Sequence, residues 1–370
     1  MTSTQEELEE LRETVGRFLE RRADEASVRR LMEDEAGYDP AVWSQMGEQL
    51  GLQGLAIPEE LGGSGFDYEA LRVVFEEMGK VLLPSPFFAT VGLAANALLL
   101  SDDDEARKQY LPGIASGETV ATLAFSEERG GWTADAVSCQ AAPGDEGWAL
   151  TGAKRFVPDA HVADLVLVAA RTPGGLSLFA VEKDAPGLRT EVELSLDLTR
   201  KLARVHLDAT PARLIGREGG AADLLHQTLL RAGVALAAES VGGMQHMLDA
   251  TLRYSKERIQ FGRPIGSFQV IKHKLADMLV AVESAKSAAY DAARAIATRR
   301  DDEALSASVA KAFCTDAYFK VSADSVQIHG GIGFTWEHPA HLYFKRAKSS
   351  QLLLGSPSYH RDLVGQAIGV

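Results

Sequence analysis

YSKERIQFGRPIGSFQVIKHKLADM, residues 254–278, carries the strongest local signal in the chain. A helical pattern ends near Arg258, and Gly262, Pro264 and Gly266 then break it. A second helix is predicted to start near Ser267, a residue suited to an N-cap. Arg258 and Arg263 flank this turn, with Phe261 between them. Guanidinium groups suit bidentate contacts to phosphate, and Phe261 can cover an aromatic ring. A solvated turn with a core phenylalanine has the same spacing.

A second signal follows at SVQIHGGIGFTWEHPAHLYFKRAKS, residues 325–349. Gly330, Gly331 and Gly333 permit close backbone approach to a ligand, and exposed amides can cradle pyrophosphate. The pattern lacks the Lys-Ser/Thr of a P-loop. It also follows a helix rather than a strand, which disfavours a dinucleotide fingerprint. A glycine-rich connection between helices reads the same way. His329, His338 and His341 offer no convincing metal-ligand spacing, so structural histidines are expected there and no metal.

Working outward, helices are predicted over 223–256, 268–300, 302–329 and 336–354. Long helices with short connections indicate a helical bundle over residues 217–370. Upstream, residues 119–216 show short β-rich runs broken by turns: 119–125, 136–141, 148–153, 165–170, 177–181 and 203–207. The APGDEG segment, 142–147, is a hairpin signal. An antiparallel β barrel or sandwich is expected. Residues 1–118 read as helices again. Leu8, Leu11, Val15, Phe18 and Leu19 form an amphipathic stripe, and further helices are expected over 41–50, 68–79, 89–100 and 104–111. The glycines of IPEELGGSGFD, 57–67, read as a loop. The fold class is thus α+β: an N-terminal helical domain, a central antiparallel β domain and a C-terminal helical bundle.

The 370 residues suit two or three domains. With 46% hydrophobic and 24% charged residues, global disorder is excluded. The net charge of −14 argues against nucleic acid as a partner, since a binder needs a basic footprint. Cys139 and Cys314 are the only cysteines, which excludes a disulfide framework or a multi-thiolate metal site. The charged opening MTSTQEELEELRETVGRFLERRADE does not read as a secretory signal, and no membrane span is expected. A cytoplasmic location follows as the expectation.

Together, RIQFGRPIGSFQVIKHKLADM and QIHGGIGFTWEHPAHLYFKRAK closely resemble the acyl-CoA dehydrogenase family. The likeness extends over nearly the whole chain and includes the Pro-Glu-Glu…Gly-Gly-Ser-Gly loop. It implies FAD as cofactor, bound between the β domain and the C-terminal bundle and completed by a second subunit. Arg258, Gln260 and Phe261 match positions that reach the neighbour's flavin. Gln327, Gly330 and Gly331 match the loop along the adenosine pyrophosphate. Ser126 and Ser356 are further flavin positions by the same likeness. The implied reaction is α,β-dehydrogenation of an acyl-CoA thioester, in which a carboxylate removes the α proton while a hydride leaves the β carbon. An electron-transfer flavoprotein is the implied electron acceptor.

The chain departs from that family where the chemistry is. The family's base is often a glutamate directly before a glycine after the KRAK segment; here Leu354 precedes Gly355. Other members carry the base early in the first long C-terminal helix, and the matching residue here is Gly233. Neither accepts a proton. Glu239, the nearest carboxylate, lies six residues on, about 240° around a helix from Gly233. His360 is another candidate base, expected near the surface. In the β domain, Ser126-Glu127-Glu128 stands for Thr-Glu-Pro, and Phe156-Val157-Pro158 for Trp-Ile-Thr/Ser. Pro158 lacks a hydroxyl and an N–H, which puts a flavin contact in doubt.

Four functions are therefore expected in competition. The first is a base-lacking subunit working with a paralogous acyl-CoA dehydrogenase subunit in an α2β2 heterotetramer, like those acting on steroid side-chain thioesters in lipid metabolism. The second is a homotetramer using Glu239 as base. The third is a flavin oxidase or monooxygenase, and the fourth a scaffold subunit that binds neither FAD nor substrate.

Overall fold

The computed structural model of the chain describes residues 3–144 and 147–370. The chain packs as two compact units. Among the described residues, one holds 31–67 and 84–232; the other holds 3–30, 68–83 and 233–370.

The first unit opens with α3 (Pro40–Glu48), which follows α1 (Gln5–Arg22) and α2 (Glu25–Glu33) in the chain. Asp39 caps α3, its carboxylate accepting from the Ala41 and Val42 amides, with Pro40 in the first turn. The Trp43 indole donates to the Gly117 carbonyl at 2.8 Å. The 57–67 loop closes tightly: a Cβ on Gly63 would lie 2.0 Å from the Ile57 carbonyl oxygen. After α4 (Tyr68–Val81), residues 88–95 form a π-helical stretch running into α5 (Asn96–Leu100), and α6 (Asp104–Ser116) follows. The predicted helix over 89–100 is present, but in this wider winding.

Seven strands follow: β1 (Ala121–Ala124), β2 (Gln140–Gly144), β3 (Gly147–Pro158), β4 (Leu165–Thr172), β5 (Gly175–Glu182), β6 (Leu188–Glu193) and β7 (Leu202–Ile215). Strands β4, β2, β3, β7 and β5 pair in that order, and β5 returns to β4, closing the ring. β2 and β3 make the expected hairpin, with Gly144 opposite Gly147. Its turn residues, Asp145 and Glu146, lie outside the described residues. The sheet is mixed, not purely antiparallel: β1 runs parallel to β4 with Ala121 opposite Leu165. Parallel neighbours need a long crossover, and the β2–β3 excursion supplies it. β6 was not foreseen; only Leu188, Thr190 and Val192 of its six residues favour a strand.

The second unit is helical. Thr4 and Glu7 form a reciprocal capping box at the start of α1. α7 (Ala222–Glu257) is 36 residues long, about 54 Å at the helical rise. After it come the two-residue strands β8 (Ile259–Gln260) and β9 (Arg263–Pro264), then α8 (Gln269–Ala297), α9 (Glu303–His329), α10 (Ala340–Leu352) and α11 (Pro357–Ile368). α10 starts four residues later than expected, because 335–339 form turns that end at Pro339, its cap position. α11 was missed altogether, although Ser356 and Pro357 form an N-cap and first-turn pair. Among the described residues no helix is long and apolar enough to cross a membrane.

α4 and α7 touch backbone to backbone. A Cβ on Gly79 would fall 2.1 Å from the Glu239 carbonyl oxygen, and one on Gly242 would fall 1.8 Å from that of Glu76. Beside this contact, Arg12 of α1 reaches Glu76 at 3.0 Å and Glu77 at 2.6 Å. Arg72 and the Tyr290 hydroxyl also bond Glu76. Gly242→Ala is therefore expected to force the two helices apart and cost about 1–3 kcal/mol or more. Thermal unfolding should show a midpoint several degrees lower than the parent's.

Candidate active-site elements

The 258–268 segment is a tight hairpin. Ile259 pairs with Pro264 and Gln260 with Arg263, leaving Phe261 and Gly262 as the two-residue loop. Both loop residues have positive φ, 52° and 77°, as a two-residue primed turn demands. Positive φ is an unusual state for a bulky side chain. Phe261 is 91% exposed, so it is not a core residue. Arg258 and Gln260 are exposed with it. Arg263 is used locally, its guanidinium 4.2 Å from the Phe268 ring centre. Ser267 does not cap the next helix; it lies in a 3-10 turn, and Phe268 takes the cap position without a side-chain bond.

Residues 327–329 form the last turn of α9, and the glycine turn 330–334 follows it. Gly330 has φ 65° and ψ −142°, a region almost restricted to glycine. A Cβ at Gly330 or Gly331 would meet nothing within 4 Å, so the backbone faces open space. The Gly330 amide is not free to cradle an anion, because the Val326 and Gln327 carbonyls accept it. Gln327 is exposed. His329 is buried, stacked 4.4 Å from Tyr254, with Nδ1 2.8 Å from the Ser325 carbonyl oxygen. His341 packs edge-on to Trp336, and burial pushes its imidazole down to about 4.

The segment after α10 is a buried turn. Leu354 is 2% exposed and has φ 62°; Gly355 has φ 104°. Two side chains reach its carbonyls. Lys311 of α9, with no exposed surface, donates from Nζ to Gly355 at 3.0 Å. His360 places Nε2 3.0 Å from the Leu354 carbonyl oxygen. His360 is itself 1% exposed, not a surface residue as expected, because α11 folds back over this turn. Bonded to a carbonyl, Nε2 is a donor, so the lone pair of the neutral ring lies on Nδ1. Ser356 spends its hydroxyl on the Tyr359 amide as the α11 N-cap.

Gly233 is buried in α7, and its missing Cβ would lie 3.6 Å from Cβ and Cγ of Lys311. The Leu354 turn and Gly233 therefore share one lysine, which sequence spacing did not reveal. Glu239 faces elsewhere. Its carboxylate is buried and accepts a short bond from the Arg346 guanidinium. In this structure Glu239 is therefore engaged in an ion pair with Arg346.

In the β unit, Ser126 is buried and its carbonyl accepts the Arg155 amide at 2.9 Å. Next to it, Glu127 bonds the Lys154 ammonium at 2.7 Å and the Ser138 and Cys139 amides. Burial opposes ionisation of Glu127, yet Lys154 and these donors hold its carboxyl below its ordinary value. Register shifts in the β3–β7 pairing bracket Phe156 between Lys154 and Val157. Phe156 has φ 55° there and is half-exposed; a bulge re-aims a side chain in this way. Pro158 ends the strand, and its carbonyl accepts the Thr122 hydroxyl at 2.6 Å.

The residues fit a flavin unequally. The exposed Phe261, the guanidinium of Arg258 and the open backbone at Gly330–Gly331 suit an aromatic, phosphate-bearing group. Pro158 offers no donor to one.

Family models for the N-terminal, middle and C-terminal domains of acyl-CoA dehydrogenase match residues 5–118, 122–208 and 220–369. The acyl-CoA dehydrogenase IpdE2 of Mycolicibacterium smegmatis is 38% identical over 352 residues, which cover 95% of this chain and 96% of that protein. Among solved structures, the Tcur3481-Tcur3483 steroid ACAD superposes with a TM-score of 0.89 at 34% identity, covering 98% of both chains. The ChsE4-ChsE5 complex from Mycobacterium tuberculosis gives 0.90 at 27% identity, covering 99% of this chain and 98% of that one. On fold and sequence together, the chain belongs to the acyl-CoA dehydrogenase family, whose members are FAD-dependent oxidoreductases.

Proposed function

We propose that the chain is the base-lacking subunit of a heteromeric acyl-CoA dehydrogenase, completed by a base-bearing paralogue. The observation that carries this reading is Leu354, buried at the position where family members place a glutamate. Removing a weakly acidic C–H proton needs a placed acceptor, and an alkyl group has no lone pair. Gly233, the other acceptor position, has no side chain, and Glu239 is bound to Arg346. When bound, FAD supplies the hydride acceptor. The chain's own part is to bind and orient: Arg258 toward phosphate, Phe261 and Gln260 toward the ring system, and Gln327 with Gly330 and Gly331 along the nucleotide end. By the family likeness, Ser126 and the Phe156 position are the β-unit candidates for the same cofactor.

The partner, the substrate class and the acceptor belong to the same proposal. One similar structure is named as the ChsE4-ChsE5 complex and another as the Tcur3481-Tcur3483 steroid ACAD. The first name supports a heteromer and the second a bulky, steroid-derived thioester; an electron-transfer flavoprotein completes the proposal as electron acceptor. The self-sufficient homotetramer needs Glu239 free, which its ion pair opposes.

Two measurements test this. The visible spectrum of the purified chain is expected to show little flavin, and mixing with the base-bearing paralogue should bring both flavin uptake and thioester oxidation. Stoichiometric flavin in the lone chain, bleached by a thioester, would end the proposal. Separately, Glu239→Gln removes the carboxylate that pairs with the buried Arg346 and is expected to cost about 3–5 kcal/mol of stability. Turnover of the assembly per folded protein should not change; a selective loss of turnover with unaltered stability would instead make Glu239 the base.

A further inference from the structure

The Leu354–Gly355 turn is improbable on its own terms. A leucine at φ 62° followed by a glycine at φ 104° persists only where the surroundings over-determine it. Glycine is required at 355, since a Cβ there would lie 2.4 Å from Cδ1 of Tyr359. Two donors converge on the turn's carbonyls, His360 on Leu354 and Lys311 on Gly355; Lys311 also lies 3.5 Å from the Gln351 carbonyl oxygen. The aliphatic stem of the same lysine forms the wall opposite Gly233.

We propose that Lys311 is the positioning residue of this turn: it fixes residue 354 through the carbonyls of Gln351 and Gly355, and so forms one floor beneath both positions where a proton acceptor could stand. A leucine or methionine at 311 would fill the same volume without burying an amine. What the amine adds is donors aimed at two carbonyls on either side of residue 354. Burial pushes it down to about 7, so holding it there has a real cost. The titratable groups around it are Cys314 and Asp316 on α9, His360 and Arg361 on α11, and Lys348 on α10. Arg361 bonds Asp316, and Lys348 bonds the Gln351 side chain. On α7, Gly233 lies against its stem.

Linkage gives the sign of its pH dependence. An opening that wets Lys311 returns the amine to its ordinary range, so above about pH 7 that opening takes up a proton. Opening then becomes less favourable as pH rises, by at most about tenfold per pH unit. Calling position 354 a proton-acceptor seat rests on the proposed function; the clamp does not, and its test reads the clamp alone.

The test is amide hydrogen exchange of the full chain, followed in peptides covering residues 351–360 from pH 6 to 9 and corrected for intrinsic rates. In the parent protein, protection of these amides is expected to rise with pH above about 7. Lys311→Met should abolish that slope and speed exchange of this segment about tenfold or more at pH 9, where the parent amine is neutral. Lys311→Arg should restore protection without the slope, because a guanidinium does not titrate there. A flat pH profile in the parent, or unchanged exchange at pH 9 in Lys311→Met, would overturn the inference. Should neither variant fold, the parent's slope decides alone.

Discussion

A helix pair in backbone contact governs the second unit. α4 and α7 approach so closely at Gly79 and Gly242 that no side chain fits between them. That contact sets the register of a helix 36 residues long. Gly233, Glu239 and Glu257 all ride on α7, so their places follow from where α7 meets α4. Close approach also leaves the charged residues beside it with little water. The structure answers with an ion network in which Glu76 is bound by Arg12, Arg72 and Tyr290. Buried charges are tolerable when paired and bonded in this way, although pairing alone is weak evidence of stability.

The same rule explains why carboxylates near the expected chemistry are not free to perform it. Glu239 is matched by Arg346 and Glu127 by Lys154. Each sits in low-dielectric surroundings, where an unpaired charge is expensive. A general base needs a different environment: a carboxylate within reach of substrate and not already bound by a fixed cation. Among the residues that sequence reasoning nominated, none has both properties. Positions 354 and 233 carry no acceptor side chain and Glu239 is held by Arg346, which supports the proposed division of labour between subunits.

How far the sequence could be read depended on the kind of signal. Long periodic helices were found nearly to the residue: α7 was expected over 223–256 and spans 222–257. Hydrophobic periodicity is local and repeated, so it survives reading without a structure. The β-rich texture of 119–216 was equally plain, but pairing partners were not, and β1 joined β4 in parallel because of a crossover that no local pattern encodes. The exposed hairpin at 259–264 was legible from its glycines and arginines. The α11 helix was missed although Ser356-Pro357 announced it. Lys311 was invisible for a different reason. It lies 78 residues from Gly233 and 44 from Gly355 in sequence, and only helix packing brings them together.

The contrast between two strained turns bears most directly on function. Phe261 and Leu354 are both bulky residues at positive φ, with nearly equal torsions of 52° and 62°. Their environments are opposite. Phe261 stands on an exposed two-residue hairpin and turns its ring outward, edge-on to Phe268. Leu354 is enclosed, and its turn is tied from both sides by buried donors. Strain at Phe261 serves to present a side chain outward; strain at Leu354 holds a backbone shape whose side chain performs no acid–base chemistry. One turn is built to reach beyond the chain, and the other keeps a shape without its reactive group. That contrast agrees with the proposed base-lacking subunit.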